Sequence, residues 1–507
     1  MNQTLQIITD KNLNFKQKTN LLAAQADNSL PYVAVPERVS KALEENVLCD
    51  IFEGHAPFKP RYVLPDYGKF LKNGSKHLEL APATNLDEAI NMLTIIYHHV
   101  PSVTNIPVYV GQLDDILLPY VGTLTEEQIY QKLKLFWIML DRTLPDAFMH
   151  ANIGPTDNII CRTILRVDAE LKQIAPNLTF MYDPKVTPDD LLRQATSNIC
   201  ECSKPHIANY PMHANTFDSK GFGIVSCYNS LPLAGGANTL VRMNLKEVAL
   251  RSDNHEDFLA NMLPHYCDVM FELIEARTAF LHEQSNFFAS FLVEEGLIEE
   301  DRFAPMFGIY GMAEAVQALF EKEGKAVRYG HDSEAAELSY KISEKLAGIV
   351  ESTPVKHGLN GRALLHSQAG ISLDKDVTPG VRIPYGTEPD PVSYIKTTVK
   401  HHKFYPSGIS DILTIDETVK NNPEAMYNLC KGAISLGMRE FTANVNSNDL
   451  VRVTGYMVKL SDIAKFKEQG SRVNTTFLGS EAADNTGILE RQPRVVSQEM
   501  SPTYDFG

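Results

Sequence analysis

Two neighbouring stretches restrict the fold more than anything else in this chain. Leu178-Thr179-Phe180-Met181-Tyr182 has the aromatic and β-branched character of a strand, and Thr187-Pro188-Asp189-Asp190 follows as a helix start, with proline at the first helical position. Strand followed closely by helix predicts an α/β architecture. Other helices announce themselves by caps and periodicity. Asn85 with Glu88 three residues on precedes Ala89, Met92, Leu93 and Ile96. Thr125 with Gln128 precedes a stripe of Ile129, Leu133, Phe136, Trp137 and Leu140, which places the single tryptophan in the core. Pro36 opens a short helix to Val47, and Ile415 to Leu436 reads as helical.

At 507 residues, 44% hydrophobic and 22% charged, the chain has the makings of a large globular core. Its net charge of −16 argues against a polymeric nucleic acid partner, because phosphate binding needs clustered Lys and Arg. Met1-Asn2-Gln3-Thr4 lacks a basic segment leading into an apolar core, and no apolar run approaches the ~20 residues that span a bilayer. A cytoplasmic protein with no membrane partner is expected. Seven cysteines in so long a chain suit free thiols in a reducing compartment. Cys200 and Cys202 lack the C-x-x-C spacing, and His98-His99 and His401-His402 point apart on a helix, so no metal site is expected.

Several stretches could carry chemistry. The apolar run Phe222 to Val225 ends in Ser226-Cys227-Tyr228-Asn229, a small polar loop before a helix-like run from Leu245. A reactive cysteine belongs at such a strand end, whereas the surrounding glycines fit neither phosphate-loop pattern. Near the C-terminus, the β-type run of Val451, Val453 and Val458 is interrupted by Gly455, which implies a bulge or a close backbone approach. His150 and Asn152 alternate with Met149, Ala151 and Ile153 on one strand face. They could line a cavity or satisfy buried backbone groups. Glu314, in the run Phe307 to Ala315, is a helix-surface carboxylate by default.

Arg452-Val453-Thr454-Gly455-Tyr456 resembles the radical-bearing loop of the glycyl radical enzymes, and the Cys227 stretch resembles their cysteine loop. Taken over most of the chain, the resemblance is closest to the YjjI-type glycyl radical enzymes. It implies that Gly455 stores a radical, which glycine alone permits because the absence of Cβ lets the backbone flatten and neighbours approach. Cys227 would relay that radical as a thiyl, and Arg452, Thr454 and Tyr456 would frame the radical loop. The implied fold is an α/β barrel of ten strands in two half-barrels surrounded by helices, with the cysteine loop and the C-terminal glycyl radical loop meeting inside. Residues 1–440 would form the catalytic body and 441–507 the glycyl radical domain. The implied cofactor is the protein-derived glycyl radical, with no bound metal. A separate radical-SAM activating enzyme would hold the iron–sulfur cluster and S-adenosylmethionine. Homodimerisation and anaerobic working are implied too.

The resemblance also implies C–H abstraction from a small polar substrate, in a lyase, dehydratase or related reaction. Pyruvate formate-lyase-like members carry two adjacent cysteines, but Ser226 precedes Cys227 here. Members with a Cys-x-Glu motif use the glutamate as a base; Asn229 takes that place, and an amide cannot accept a proton as a carboxylate does. The substrate-pocket candidates are therefore Asn229, His150, Asn152 and Glu314, with His150 or Glu314 as the substitute base. Anaerobic ribonucleotide reduction is the alternative, although only Cys430 lies where those enzymes carry paired cysteines. A structural or regulatory protein that keeps the fold without the radical is the remaining reading.

Overall fold

Local signals set the helices. Asn85 and Thr125 cap Leu86–Tyr97 and Glu126–Thr143, accepting from the backbone N–H of Glu88 and Gln128, and Gln128 reaches back to close a capping box. The predicted stripe of Glu126–Thr143 is buried, and Trp137 donates through Nε1 to Asp168 at 3.1 Å. Pro36 and Pro188 stand one place earlier than a first helical residue, as N-caps of Glu37–Glu44 and Asp189–Cys202. The expected helix from Ile415 is shorter. Asp411–Ile415 is a strand, and the helix Pro423–Ser435 starts only at Pro423, where proline fits a first turn but not the interior. The computed structural model describes residues 3–496 apart from 12, 14, 28–32, 51–57, 103–106, 145–147, 368–373, 375, 454, 456 and 470–492.

In chain order the strands are β1 (Leu48–Asp50), β2 (Tyr62–Leu64), β3 (Tyr109–Gln112), β4 (His150–Ile153), β5 (Asn177–Tyr182), β6 (His206–Asn209), β7 (Phe222–Val225) and β8 (Asn229–Pro232). They continue as β9 (Gly235–Ala237), β10 (Leu240–Asn244), β11 (Met306–Tyr310), β12 (Leu364–Ser367), β13 (Asp411–Ile415), β14 (Glu440–Val445), β15 (Leu450–Arg452) and β16 (Met457–Lys459). Ten of these described strands form two sheets, of order β13-β14-β6-β5-β4-β3 and β1-β10-β11-β12. β3 to β6 run parallel, as do β10 to β12, which requires helical crossovers and explains the strand-helix alternation read from sequence. β2 pairs with β9, and two hairpins, β7-β8 and β15-β16, stand apart from the sheets.

The register of the six-stranded sheet sorts its side chains. His150 lies beside Asn177, Asn152 beside Thr179, Thr179 beside His206, and Ala208 beside Glu440. Paired residues share a face and the side-chain period is two, so His150, Asn152, Asn177, Thr179, His206, Glu440, Thr442 and Asn444 all occupy one face. The other face presents Ala151, Ile153, Leu178, Phe180, Ile207, Phe441, Ala443 and Val445 to the main hydrophobic core. One face packs; the other is polar and fully covered. The polar face is where both hairpins sit.

Candidate active site

The β7-β8 hairpin turns through Ser226-Cys227-Tyr228. Ser226 and Tyr228 both take left-handed backbone angles, φ +49° and +63°, so the chain doubles back within three residues with Cys227 at the tip. Non-glycine residues adopt that region at a cost, and such strain concentrates at functional positions. Several contacts hold the turn. Asn152 pins β7 with both amide atoms, donating to Ile224 O and accepting from Ile224 N, each at 2.8 Å. Asn229 donates to Val225 O at 3.0 Å across the hairpin base. Gly408 presses against Tyr228 O, where a Cβ would collide. Cys227 is only 4% exposed.

The β15-β16 hairpin carries Gly455 and is held by the same device. Asn444 donates to Arg452 O and accepts from Arg452 N, each at 2.8 Å. Asn177 donates to Gly455 O and accepts from Arg452 Nη1 at 2.9 Å. Arg452 Nη2 reaches Ser203 O at 3.3 Å. Leu450 and Met457 pack against Cys202, giving that cysteine a docking role. Burial pushes the Cys202 thiol up to about 12, so it stays protonated.

The two tips meet. A Cβ built on Gly455 would overlap Cys227 Cα and Ser226 O and crowd Cys227 N. No L-side chain fits there, which is the close approach anticipated from the glycine in a valine-rich run.

Behind the tips lies a chain of buried polar groups. His150 Nε2 contacts Thr179 Oγ1 at 2.6 Å, and Thr179 Oγ1 also contacts His206 at 3.1 Å. The His206 ring packs edge-on against Tyr228 at 4.7 Å and against His150 at 5.3 Å. Glu440 lies beyond His206, with His213 on its other side, and His213 Nδ1 contacts Ser230 Oγ on β8 at 3.0 Å. Burial holds His150, His206 and His213 well below the usual imidazole range and Glu440 well above the carboxylate range.

Of the residues singled out from sequence, Gly455, Cys227, Arg452, His150, Asn152 and Asn229 are thus brought together. Asn152 spends its amide on backbone, the second of the two readings given above. Glu314 sits elsewhere, at the start of helix Met312–Lys322, where Oε1 accepts from Thr378 N at 3.0 Å and from the Thr378 hydroxyl. Thr454 and Tyr456 lie outside the described residues. Sequence reading assigned no site role to Asn177, His206, His213, Glu440 or Asn444. Three of these carry the alternation that singled out His150 and Asn152: Asn177-x-Thr179 and Glu440-x-Thr442-x-Asn444. Among the described residues no three His, Cys, Asp or Glu side chains gather as metal ligands, and no helix is long and apolar enough to cross a membrane.

A cysteine hairpin pressed against a C-terminal glycine hairpin is an unusual pairing, and family comparison decides what it belongs to. The description glycyl radical enzyme YjjI-like matches residues 13–494. The chain belongs to the YjjI-like glycyl radical enzyme family. Within reach of that family, it is 62% identical over 500 residues to the YjjI protein of Escherichia coli (strain K12), covering 98% of this chain and 97% of the other. A protein of Haemophilus influenzae is 37% identical over 459 residues, covering 89% of each. Solved structures agree on the mixed α/β fold. Hydroxyproline dehydratase from Clostridioides difficile superposes with a TM-score of 0.74 at 13% identity, over 97% of this chain and 88% of that one. The B12-independent glycerol dehydratase from Clostridium butyricum gives 0.72 at 13% identity, over 97% and 88%. An anaerobic ribonucleotide reductase from Thermotoga maritima gives 0.70 at 14% identity, over 92% of each. The α/β fold expected from sequence is the one these enzymes share.

Proposed function

We propose that Gly455 stores an organic radical and that Cys227, as a transient thiyl, uses it to take hydrogen from a C–H bond of a small polar substrate. The observation that carries this reading is the contact between the two hairpin tips, too close for any side chain on residue 455. Enclosure supports it, since a carbon radical survives only where water and other reactants are excluded. A separate radical-SAM activating enzyme installs the radical on Gly455, for which the β15-β16 hairpin swings out and then returns. The reaction is lyase-like, in keeping with the dehydratases of similar fold. The enzyme works without oxygen in the cytoplasm. We assign residues 1–440 to the body and 441–507 to the glycyl radical domain, a boundary one residue into β14.

The test is anaerobic electron paramagnetic resonance after incubation with the activating enzyme, S-adenosylmethionine and reductant. A glycyl doublet is expected in the parent and in Cys227→Ser and is expected to vanish in Gly455→Ala. No doublet in the parent, with an activating enzyme of demonstrated competence, would leave the scaffold reading in possession.

A further inference from the structure

Asn229 occupies the place of a base and cannot act as one, because its Nδ2 is committed to Val225 O and an amide takes up no proton. The polar face of the six-stranded sheet holds a carboxyl that can. Glu440 is fully buried, with Oε2 at 3.2 Å from His206 Nε2 and Oε1 at 3.7 Å from His213 Nε2. Among the described residues no hydrogen bond reaches either carboxyl oxygen or His213 Nε2.

That state distinguishes Glu440 from acids with a purely structural task. Asp168 is clamped by Lys204 Nζ at 2.6 Å and Trp137 Nε1 at 3.1 Å, and Asp374 is held by Arg242 Nη1 at 2.8 and 2.9 Å. Asp168 Oδ2 also lacks a partner, but among these acids only Glu440 has neither oxygen paired, and a buried carboxyl left wholly unpaired is a candidate for a task outside the resting fold.

We infer that Glu440 and His206 form an acid–base pair that moves protons for the chemistry at Cys227, with His213 as the alternate proton site. This rests on the reading of Gly455 and Cys227 as the radical pair. His206 is placed for it by its edge-on packing against Tyr228, the residue next to Cys227. Burial favours the uncharged form of each partner, so the resting pair is a carboxylic acid beside a neutral imidazole: one donor and one acceptor.

A pair that moves protons at this site should also speed exchange of the buried Cys227 thiol with solvent, and that can be read without substrate. In D2O, hydrogen passing between Gly455 and an exchanged Cys227 S–D replaces the glycyl hydrogen and collapses the doublet. Glu440→Gln and His206→Gln are expected to reach the parent's radical yield yet exchange slower by on the order of a hundredfold, the usual worth of general acid–base help. Glu440→Asp should recover part of the rate. The parent's exchange should vary with pH and that of Glu440→Gln should be flatter. The charged and titratable groups around the pair are His213 from its short helix, Tyr228 from the cysteine hairpin, Arg452 from the glycine hairpin and Arg439 next to Glu440 in the chain, with His150 packed against His206. Should Glu440→Gln fail to fold, His206→Gln carries the test. Parent-like exchange in a folded variant of either residue overturns the inference. A parent that forms no doublet, or one that never exchanges, instead sinks the radical pair beneath it, and this inference with it.

Discussion

The cysteine and glycine hairpins are built alike at their roots and differently in their cores. In each, one asparagine of the six-stranded sheet grips a strand by both amide atoms: Asn152 on Ile224, Asn444 on Arg452. The cysteine hairpin then merges with the body, since Val225 and Leu231 belong to the main hydrophobic core and Ser230 N bonds Ser407 O at 2.9 Å. The glycine hairpin keeps its own small cores instead, Val451, Val453, Val458 and Ile463 with Ile412, and Leu450 and Met457 with Cys202. What ties it down is polar: Asn177 on Gly455 O and Arg452 on Asn177 and Ser203. Apolar burial is not readily reversed in part, whereas a few hydrogen bonds can be exchanged for water at a net cost of about 1 kcal/mol each. One hairpin is fixed and the other is latched, which is the arrangement that the proposed installation of a radical on Gly455 from outside would need.

The largest effect should come from closing the contact itself. Gly455→Ala places a methyl where Cys227 Cα and Ser226 O already stand, so the glycine tip cannot seat. Complete loss of the radical is expected, with lower protection of the β15-β16 amides by hydrogen exchange. A seated, protected Gly455→Ala would show that the contact does not govern docking. Cys227→Ser comes next, because it should split the two hairpins functionally: a full glycyl doublet, no exchange of its hydrogen in D2O, and turnover at background.

The latch follows. Asn177→Ala removes the donor to Gly455 O and strips Arg452 Nη1 of its acceptor, leaving a buried charge less well paired. The expected cost is about 1–3 kcal/mol. It should appear as faster amide exchange at Val451 and Val458 with Ile224 unaffected, and as quicker activation. Loss of protection at both hairpins alike would erase the distinction between fixed and latched. The paired grips sharpen it further. Asn152→Ala and Asn444→Ala each unmake two hydrogen bonds and should cost similar stability, again about 1–3 kcal/mol. Only Asn444→Ala should change the rate of radical installation, while Asn152→Ala should lower turnover at an unchanged radical yield.

Those asparagines also mark how far the sequence could be read. Caps, stripes and the strand-helix order were legible because each depends on residues close in sequence: Thr125 with Gln128, or Phe222 to Val225 ending at Cys227. The two tips were legible because only glycine admits so close an approach and because their motifs resemble a known family. Glu440 was not, since its meaning depends on β14 lying beside β6, a pairing of distant segments that no local pattern encodes. The polar alternation of Glu440, Thr442 and Asn444 was present all the same. It says that one face of a strand is polar, and only the register says that this face is buried against two hairpins. Ile415 failed for the converse reason. Its apolar spacing suits strand and helix alike in a short run, and the strand prevails because β13 pairs with β14.

Glu314 supplies the smallest effect and a control for the others. Its Oε1 accepts from the backbone and hydroxyl of Thr378, a local clasp between the start of helix Met312–Lys322 and the loop that returns to Gly380. It touches neither hairpin. Glu314→Gln keeps the shape and a carbonyl acceptor but loses the charge that strengthens both bonds, so about 1 kcal/mol of stability should go. Radical yield, glycyl hydrogen exchange and the protection of both hairpins should stay at parental values, measured beside thermal unfolding. Turnover that falls steeply at parental stability would mean that substrate, when bound, reaches this carboxylate. The latch and the fixed hairpin would then account for the radical but not for the whole of the pocket.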